Sequence, residues 1–204
     1  MSKKYHYLAL GDSYTIGEKV EAAANFPNQV AALLSQDGIH CKVRIIAKTG
    51  WTTDELETGI LSANLAEPLR SSYDFVSLLI GVNNQYRGKP VDSYKPAFEA
   101  LVIKALGFVG NRLERVVILS IPDWGITPFA EGRDREQIAK EIDRYNEANR
   151  QVAERYHIYY INITPGTREA SLDHSLLAED GLHPSGREYR RWAERIAAFF
   201  RSRI

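Results

Sequence analysis

Four places in the chain carry groups able to do acyl-transfer chemistry. The first is Ala9-Leu10-Gly11-Asp12-Ser13-Tyr14-Thr15, where a serine hydroxyl follows directly on an apolar run. Such a hydroxyl is a weak nucleophile until a positioned base removes its proton, and that base needs an acceptor to orient it. The second stretch, Glu179-Asp180-Gly181-Leu182-His183-Pro184, holds both partners. Asp180 and His183 stand three apart, so one tight turn, helped by Gly181, can bring the carboxylate to Nδ1 while Nε2 faces Ser13. A carbonyl under attack also needs donors aimed at the charge that develops on its oxygen. The backbone N–H of Ser13, the backbone N–H of Gly50 and the side-chain amide of Asn83 can each supply one. Glycine at 50 lets a tetrahedral centre approach the main chain closely.

Each of these groups also has a plainer reading. Ser13 could simply cap a helix. Asp180 could be a turn residue, His183 a surface histidine before Pro184, and Asn83 and Asn84 turn formers that tolerate left-handed backbone. His174, beside Asp173, is a rival base without the Gly-x-His-Pro context. His6, His40 and His157 flank strands away from the expected rim and read as structural. Trp51, Trp124 and Phe129 follow strand ends, as core residues or as walls of an acyl or leaving-group pocket. Trp192, at helical spacing with Ile196, is core.

The elements that must position these groups are legible from periodicity. Tyr5 to Leu10 reads as a buried first strand, and Phe26-Pro27-Asn28-Gln29 opens a helix that Gly38 ends. Lys42 to Ala47 alternates into a second strand finishing at Lys48-Thr49-Gly50-Trp51. Thr52 or Thr53 then caps a short helix carrying Leu56, Ile60 and Leu61. Asp74 to Ile80 is nearly continuous apolar sequence, as expected of a strand covered on both faces. A helix from about Ser93 to Gly110, a strand over Arg115 to Ile121, a helix over Asp134 to Tyr156 and a strand over Ile158 to Ile163 follow. A loop-rich segment leads to Pro184 and a last helix.

Strands alternating with helices along the whole chain predict one parallel α/β sheet with helices on both sides, in a single domain spanning 1–204. Right-handed winding puts the strand C-termini on one rim. Ser13, Gly50, Asn83, the Pro122 loop and the Asp180 loop are expected to converge there.

Composition bounds the function. The chain has 204 residues, 44% hydrophobic and 25% charged, which favours neither disorder nor membrane spanning. Its 26 basic and 26 acidic residues give zero net charge, which argues against a general electrostatic grip on nucleic acid. A single cysteine, Cys41, excludes an internal disulfide framework and a cysteine-cluster metal site. It reads as a packed strand-edge thiol. Met1-Ser2-Lys3-Lys4-Tyr5-His6 lacks the apolar core and cleavage site of a signal peptide, so a cytoplasmic location is expected.

Taken together, the motifs resemble those of the SGNH hydrolases, also called GDSL esterases and lipases, over nearly the full chain. Gly11-Asp12-Ser13-Tyr14-Thr15 looks like the first family block, with Tyr14 where the name-giving leucine stands. Gly50 matches the second block, Gly81-Val82-Asn83-Asn84 resembles the third and Asp180-Gly181-Leu182-His183-Pro184 the fifth. The third block usually ends in Asp, and here it is Asn84. The resemblance implies a flavodoxin-like three-layer α/β/α sandwich with a five-stranded parallel sheet, and a serine esterase without cofactor or metal. By position it makes Ser13 the nucleophile, His183 the base, Asp180 its orienter, and Gly50 and Asn83 oxyanion donors.

A small-molecule carboxylic ester of a small or single-chain acyl group is the expected substrate, with thioesters, lysophospholipids and O-acetyl sugars as alternatives on the same site. No Gly-x-Ser-x-Gly elbow is present, which disfavours an α/β-hydrolase. A non-catalytic flavodoxin-like binding module would need a G-x-G-x-x-G pattern after the first strand, and Gly11 to Gly17 does not match it. A metal-dependent phosphatase built on Asp12 lacks a second carboxylate in that loop.

Overall fold

The structure, a computed structural model, describes residues 4–204; the first three residues of the N-terminal stretch read above lie outside it. Five parallel strands form one sheet in the order β2-β1-β3-β4-β5: β1 (Lys4–Asp12), β2 (His40–Lys48), β3 (Phe75–Leu79), β4 (Val116–Leu119) and β5 (Tyr159–Ile161). Tyr7 to Leu10 and all of β3 and β4 are buried, which explains their nearly unbroken apolar sequence.

Helices cover both faces. Helix α1 (Ser13–Ile16) is a single turn after β1. On one face α2 (Phe26–Gln36) packs against the last long helix, and on the other lie α3 (Thr53–Ala66), α5 (Val91–Phe108) and α6 (Arg135–Arg155). The short helices α4 (Val82–Tyr86) and α7 (Thr164–Arg168) follow β3 and β5, and α8 (Gly186–Arg201) closes the chain. Helix α8 anchors its face with aromatic rings: Phe200 stacks on Phe75 at 4.0 Å and meets Tyr7 edge-on at 5.0 Å, while Trp192 lies 6.0 Å from Phe26. Trp192 is accordingly core, 2% exposed. Among the described residues no helix is long and apolar enough to cross a membrane.

Three expectations are adjusted. The helix after Thr52 is not short, because Thr52 starts it and it runs fourteen residues to Ala66. The fourth strand stops at Leu119 rather than Ile121. There the Ser120 hydroxyl takes over from the ladder by accepting from the N–H groups of Ile163 (2.8 Å) and Thr164 (3.1 Å). The loop-rich segment before Pro184 contains α7 and two further single turns.

The strand order places β1 between β2 and β3, so the chain turns first one way and then the other from β1. In open α/β sheets, the crevice at such a reversal is where ligands bind. Ser13 stands there.

Candidate active site

Gly11 and Asp12 shape the turn that presents Ser13. A Cβ at Gly11 would fall 2.1 Å from Thr15 Oγ1 and 2.4 Å from the Leu79 carbonyl oxygen, so only glycine lets α1 fold back this tightly over β3. Asp12, not Ser13, caps the helix: its Oδ1 accepts from the Tyr14 N–H at 3.0 Å. Ser13 is therefore free of the capping role that a serine at a helix start usually fills. As the first helical residue, its N–H has no intrahelical acceptor.

The second stretch folds into a brace. Asp180 Oδ1 accepts from the N–H groups of Leu182 and His183, both at 3.0 Å, and Gly181 takes a φ of +61°. That turn carries Asp180 Oδ2 to 2.6 Å from His183 Nδ1. His183 Nε2 then lies 3.0 Å from Ser13 Oγ, with 170 residues between them in sequence. Ala178 N–H donates to the His183 carbonyl at 2.7 Å, and a bridge joins Leu177 to Pro184, so the histidine cannot drift. Tyr14, buried, lays its ring 5.0 Å from the imidazole.

Protonation follows from these contacts. Partial burial pushes the Asp180 carboxyl up, but hydrogen bonds from the His183 ring and from the His183 and Leu182 N–H groups outweigh it. The net result lies below the ordinary aspartate value. An ionised carboxylate only accepts, so the proton on the neutral imidazole belongs on Nδ1, and Nε2 accepts from the Ser13 hydroxyl. Asp12 is the opposite case. Complete burial pushes its carboxyl up to about 7, only partly opposed by hydrogen bonds from the Tyr14 N–H and the Asn83 amide.

The remaining strand ends bring in Gly50 and Asn83. Gly50 has a φ of +83°, a left-handed conformation that glycine adopts without strain, and its carbonyl accepts from Arg87 Nη2 at 2.6 Å. Asn83 sits in α4, and its Nδ2 donates to the Trp51 carbonyl at 3.0 Å and more weakly to Asp12 Oδ2 at 3.4 Å. Asn84 faces the other way. It is 1% exposed and pairs with Thr53 twice, accepting from its N–H at 3.1 Å and donating to its hydroxyl at 2.9 Å. Asn84 thus ties α4 to the start of α3 and takes no place at Ser13.

Ser13, Gly50, Asn83 and His183 share a cavity of about 160 Å³, walled by Tyr14, Val82, Tyr86, Trp124, Phe129 and Leu182. The convergence expected from the strand order is therefore present, and two of the three candidate aromatic residues are at the cavity. Trp51 is not. Its ring is turned away onto α3, where a Cβ at Gly59 would come within 2.0 Å of it, so Trp51 is a packing residue of the turn. His174 is exposed, in a turn outside the cavity. His6, His40 and His157 also lie outside the cavity. Burial pushes the Cys41 thiol up to about 12, which suits an unreactive strand residue.

Sequence reasoning passed over Tyr14, Val82, Tyr86 and Leu182 as lining residues. Their apolar or aromatic character has no local signature, and only the packing of the loops makes them walls. The loop bearing Trp124 and Phe129 is pinned by the buried Asp123. Its Oδ1 accepts from Gly125 N–H at 2.9 Å and its Oδ2 from Arg168 Nε at 2.9 Å.

With that geometry in place, comparison with known proteins places the chain. The model of the GDSL-like Lipase/Acylhydrolase family matches residues 9–191, from the serine turn to beyond the Asp180–His183 brace. The chain belongs to this family. Solved structures of similar fold include a lipase/acylhydrolase from Enterococcus faecalis, 20% identical with a TM-score of 0.73, covering 98% of this chain and 96% of that one. The psychrotrophic esterase EstA from Pseudoalteromonas sp. is 14% identical with a TM-score of 0.71, covering 97% of both chains. The acetylxylan esterase Axe2 from Geobacillus stearothermophilus is 20% identical with a TM-score of 0.70, covering 96% of this chain and 94% of that one. At these identities the likeness speaks for the shared fold. A comparison with curated protein sequences gives no match.

Proposed function

We propose that this GDSL-family chain hydrolyses carboxylic esters of small molecules through an acyl-enzyme on Ser13. The observation that carries the proposal is the unbroken line from Asp180 Oδ2 through the His183 ring to Ser13 Oγ, with steps of 2.6 and 3.0 Å. A serine, a neutral imidazole and an orienting carboxylate at these separations have the geometry that general-base activation requires.

In the first half-reaction Ser13 Oγ attacks the ester carbonyl carbon and passes its proton to His183 Nε2. The oxyanion takes hydrogen bonds from the N–H groups of Ser13 and Gly50 and from Asn83 Nδ2, whose long contact to Asp12 is the one it would replace. The carbon–oxygen bond to the alcohol then breaks, and His183 returns the proton to the departing oxygen. In the second half a water gives its proton to His183 and attacks the acyl carbon. The carboxylic acid leaves as Ser13 regains its proton. Asp180 keeps its charge throughout and holds the imidazolium in place. Each step uses only these side chains and water.

Incubation with an organophosphonate serine probe, read by intact mass, tests the proposal. Wild type gains one adduct that maps to Ser13, and Ser13→Ala and His183→Ala gain none at matched times. Folded wild type that stays unlabelled refutes the proposal and brings forward the non-catalytic binding module.

A further inference from the structure

The cavity beside Ser13 is lined by an indole that is held in place from several sides. Trp124 is 3% exposed and turns its Nε1–H onto Gln85 Oε1 at 2.7 Å. Gln85, itself buried, donates from Nε2 to Glu141 Oε2 at 2.7 Å, and Glu141 Oε1 takes a further bond from Gln137 at 2.7 Å. The ring is also wedged between Tyr86 at 5.2 Å and Phe129 at 6.1 Å, with the Arg133 guanidinium 5.7 Å above it. Swinging the indole outward would leave the buried Gln85 Oε1 without its donor.

We propose that Trp124, locked by Gln85, is the end wall that limits the acyl group to acetyl-to-butyryl size; this rests on the hydrolase reading above. The cavity volume of about 160 Å³ lies below the roughly 300–1,000 Å³ of ordinary small-molecule pockets. Departing alcohol and incoming water both exchange protons with His183 Nε2, so that side must stay open to solvent. The exposed rings of Tyr86 and Phe129 form such a rim. The acyl group alone remains bound through both half-reactions, and the buried walls, Trp124, Val82 and Tyr14, are left for it. Gln85 touches no reacting atom in this scheme and acts as a positioning residue.

The test measures kcat/KM on p-nitrophenyl acetate, butyrate, hexanoate and octanoate, which hold the leaving group constant. Wild type is expected to lose about tenfold or more between butyrate and hexanoate, the scale of misfit by one or two methylenes. Trp124→Ala, which removes the wall, raises the hexanoate-to-acetate ratio by about 10- to 100-fold. Gln85→Leu, which strands the indole N–H, raises the ratio by about 3- to 10-fold, on the scale of one hydrogen bond. In a Trp124→Phe background, where no N–H needs a partner, Gln85→Leu leaves the ratio unchanged. That cycle separates positioning from a merely structural role, in which Gln85→Leu would lower all esters alike in both backgrounds. A wild-type preference for octanoate, or an unchanged ratio in Trp124→Ala, overturns the end wall while the hydrolase reading stands. No turnover of any ester, with no phosphonate adduct on Ser13, overturns both.

Discussion

Replacing Asp12 by asparagine isolates the cost of a buried charge next to Ser13. Asp12 is fully buried and is held by the Tyr14 N–H and, at 3.4 Å, by the Asn83 amide, with no ion pair to a basic side chain among the described residues. Its carboxyl is raised from 3.8 to about 7, so the folded protein holds this proton more tightly than the unfolded chain does. The stability that protonated Asp12 lends is present below pH 3.8 and is lost progressively as pH rises to about 7. At 1.36 kcal/mol per unit, the cost of the charge is roughly 2 kcal/mol at pH 5 and roughly 4 kcal/mol at pH 8. Asparagine caps a helix as well as aspartate does, but its amide would meet the Asn83 amide donor to donor. That penalty does not vary with pH. Urea unfolding of wild type and Asp12→Asn at pH 5, 6, 7 and 8 should therefore show the variant gaining about 2–3 kcal/mol on wild type across the range. A difference constant within about 0.5 kcal/mol would mean that Asp12 ionises as readily folded as unfolded, and the burial argument would fail.

Four further outcomes follow from the site. Asp180→Asn keeps the turn but offers Nδ1 no charged acceptor, and kcat should fall by roughly 10⁴ with KM little changed in steady-state ester hydrolysis. Asn83→Ala should lower kcat by about 10²–10³ if its amide serves the oxyanion, and a rate near wild type would remove Asn83 from the mechanism. Asn84→Ala leaves the Thr53 N–H buried without its acceptor and should cost about 1–3 kcal/mol in thermal or urea unfolding. Asn84→Asp, which restores the residue usual in the family, should retain activity, because the Thr53 N–H and hydroxyl can both donate to a carboxylate.

The periodicity of the chain carried most of the architecture. Apolar runs such as those ending at Leu10 and Ile80 admit burial on both faces and little else, and their alternation with helical stretches admits a parallel sheet. The Asp180–His183 turn was legible for a local reason: two intervening residues, one of them glycine, let a carboxylate reach an imidazole nitrogen. Spacing could not set the angle at which Trp51 leaves its turn. A tryptophan after a strand end reads equally as pocket wall or as packing, and the bare surface at Gly59, eight residues later, decided for packing. Ser13 as a helix cap was likewise decided in three dimensions, by Asp12 taking that position.

What the amino-acid order determined alone, then, was the set of reactive groups, the strand ends that bear them and the local turns that aim them. Those features depend on contacts a few residues apart and on hydrophobic period. The 3.0 Å meeting of Ser13 with His183, the shared cavity of Ser13, Gly50 and Asn83, and the Gln85 lock on Trp124 were decided only by the tertiary structure. They bring to Ser13 residues from 37 to 170 positions away, and join Gln85 to Trp124 across 39. No local rule reaches across such separations, and the packing of helices on both faces of the sheet is what brings the loops to one rim.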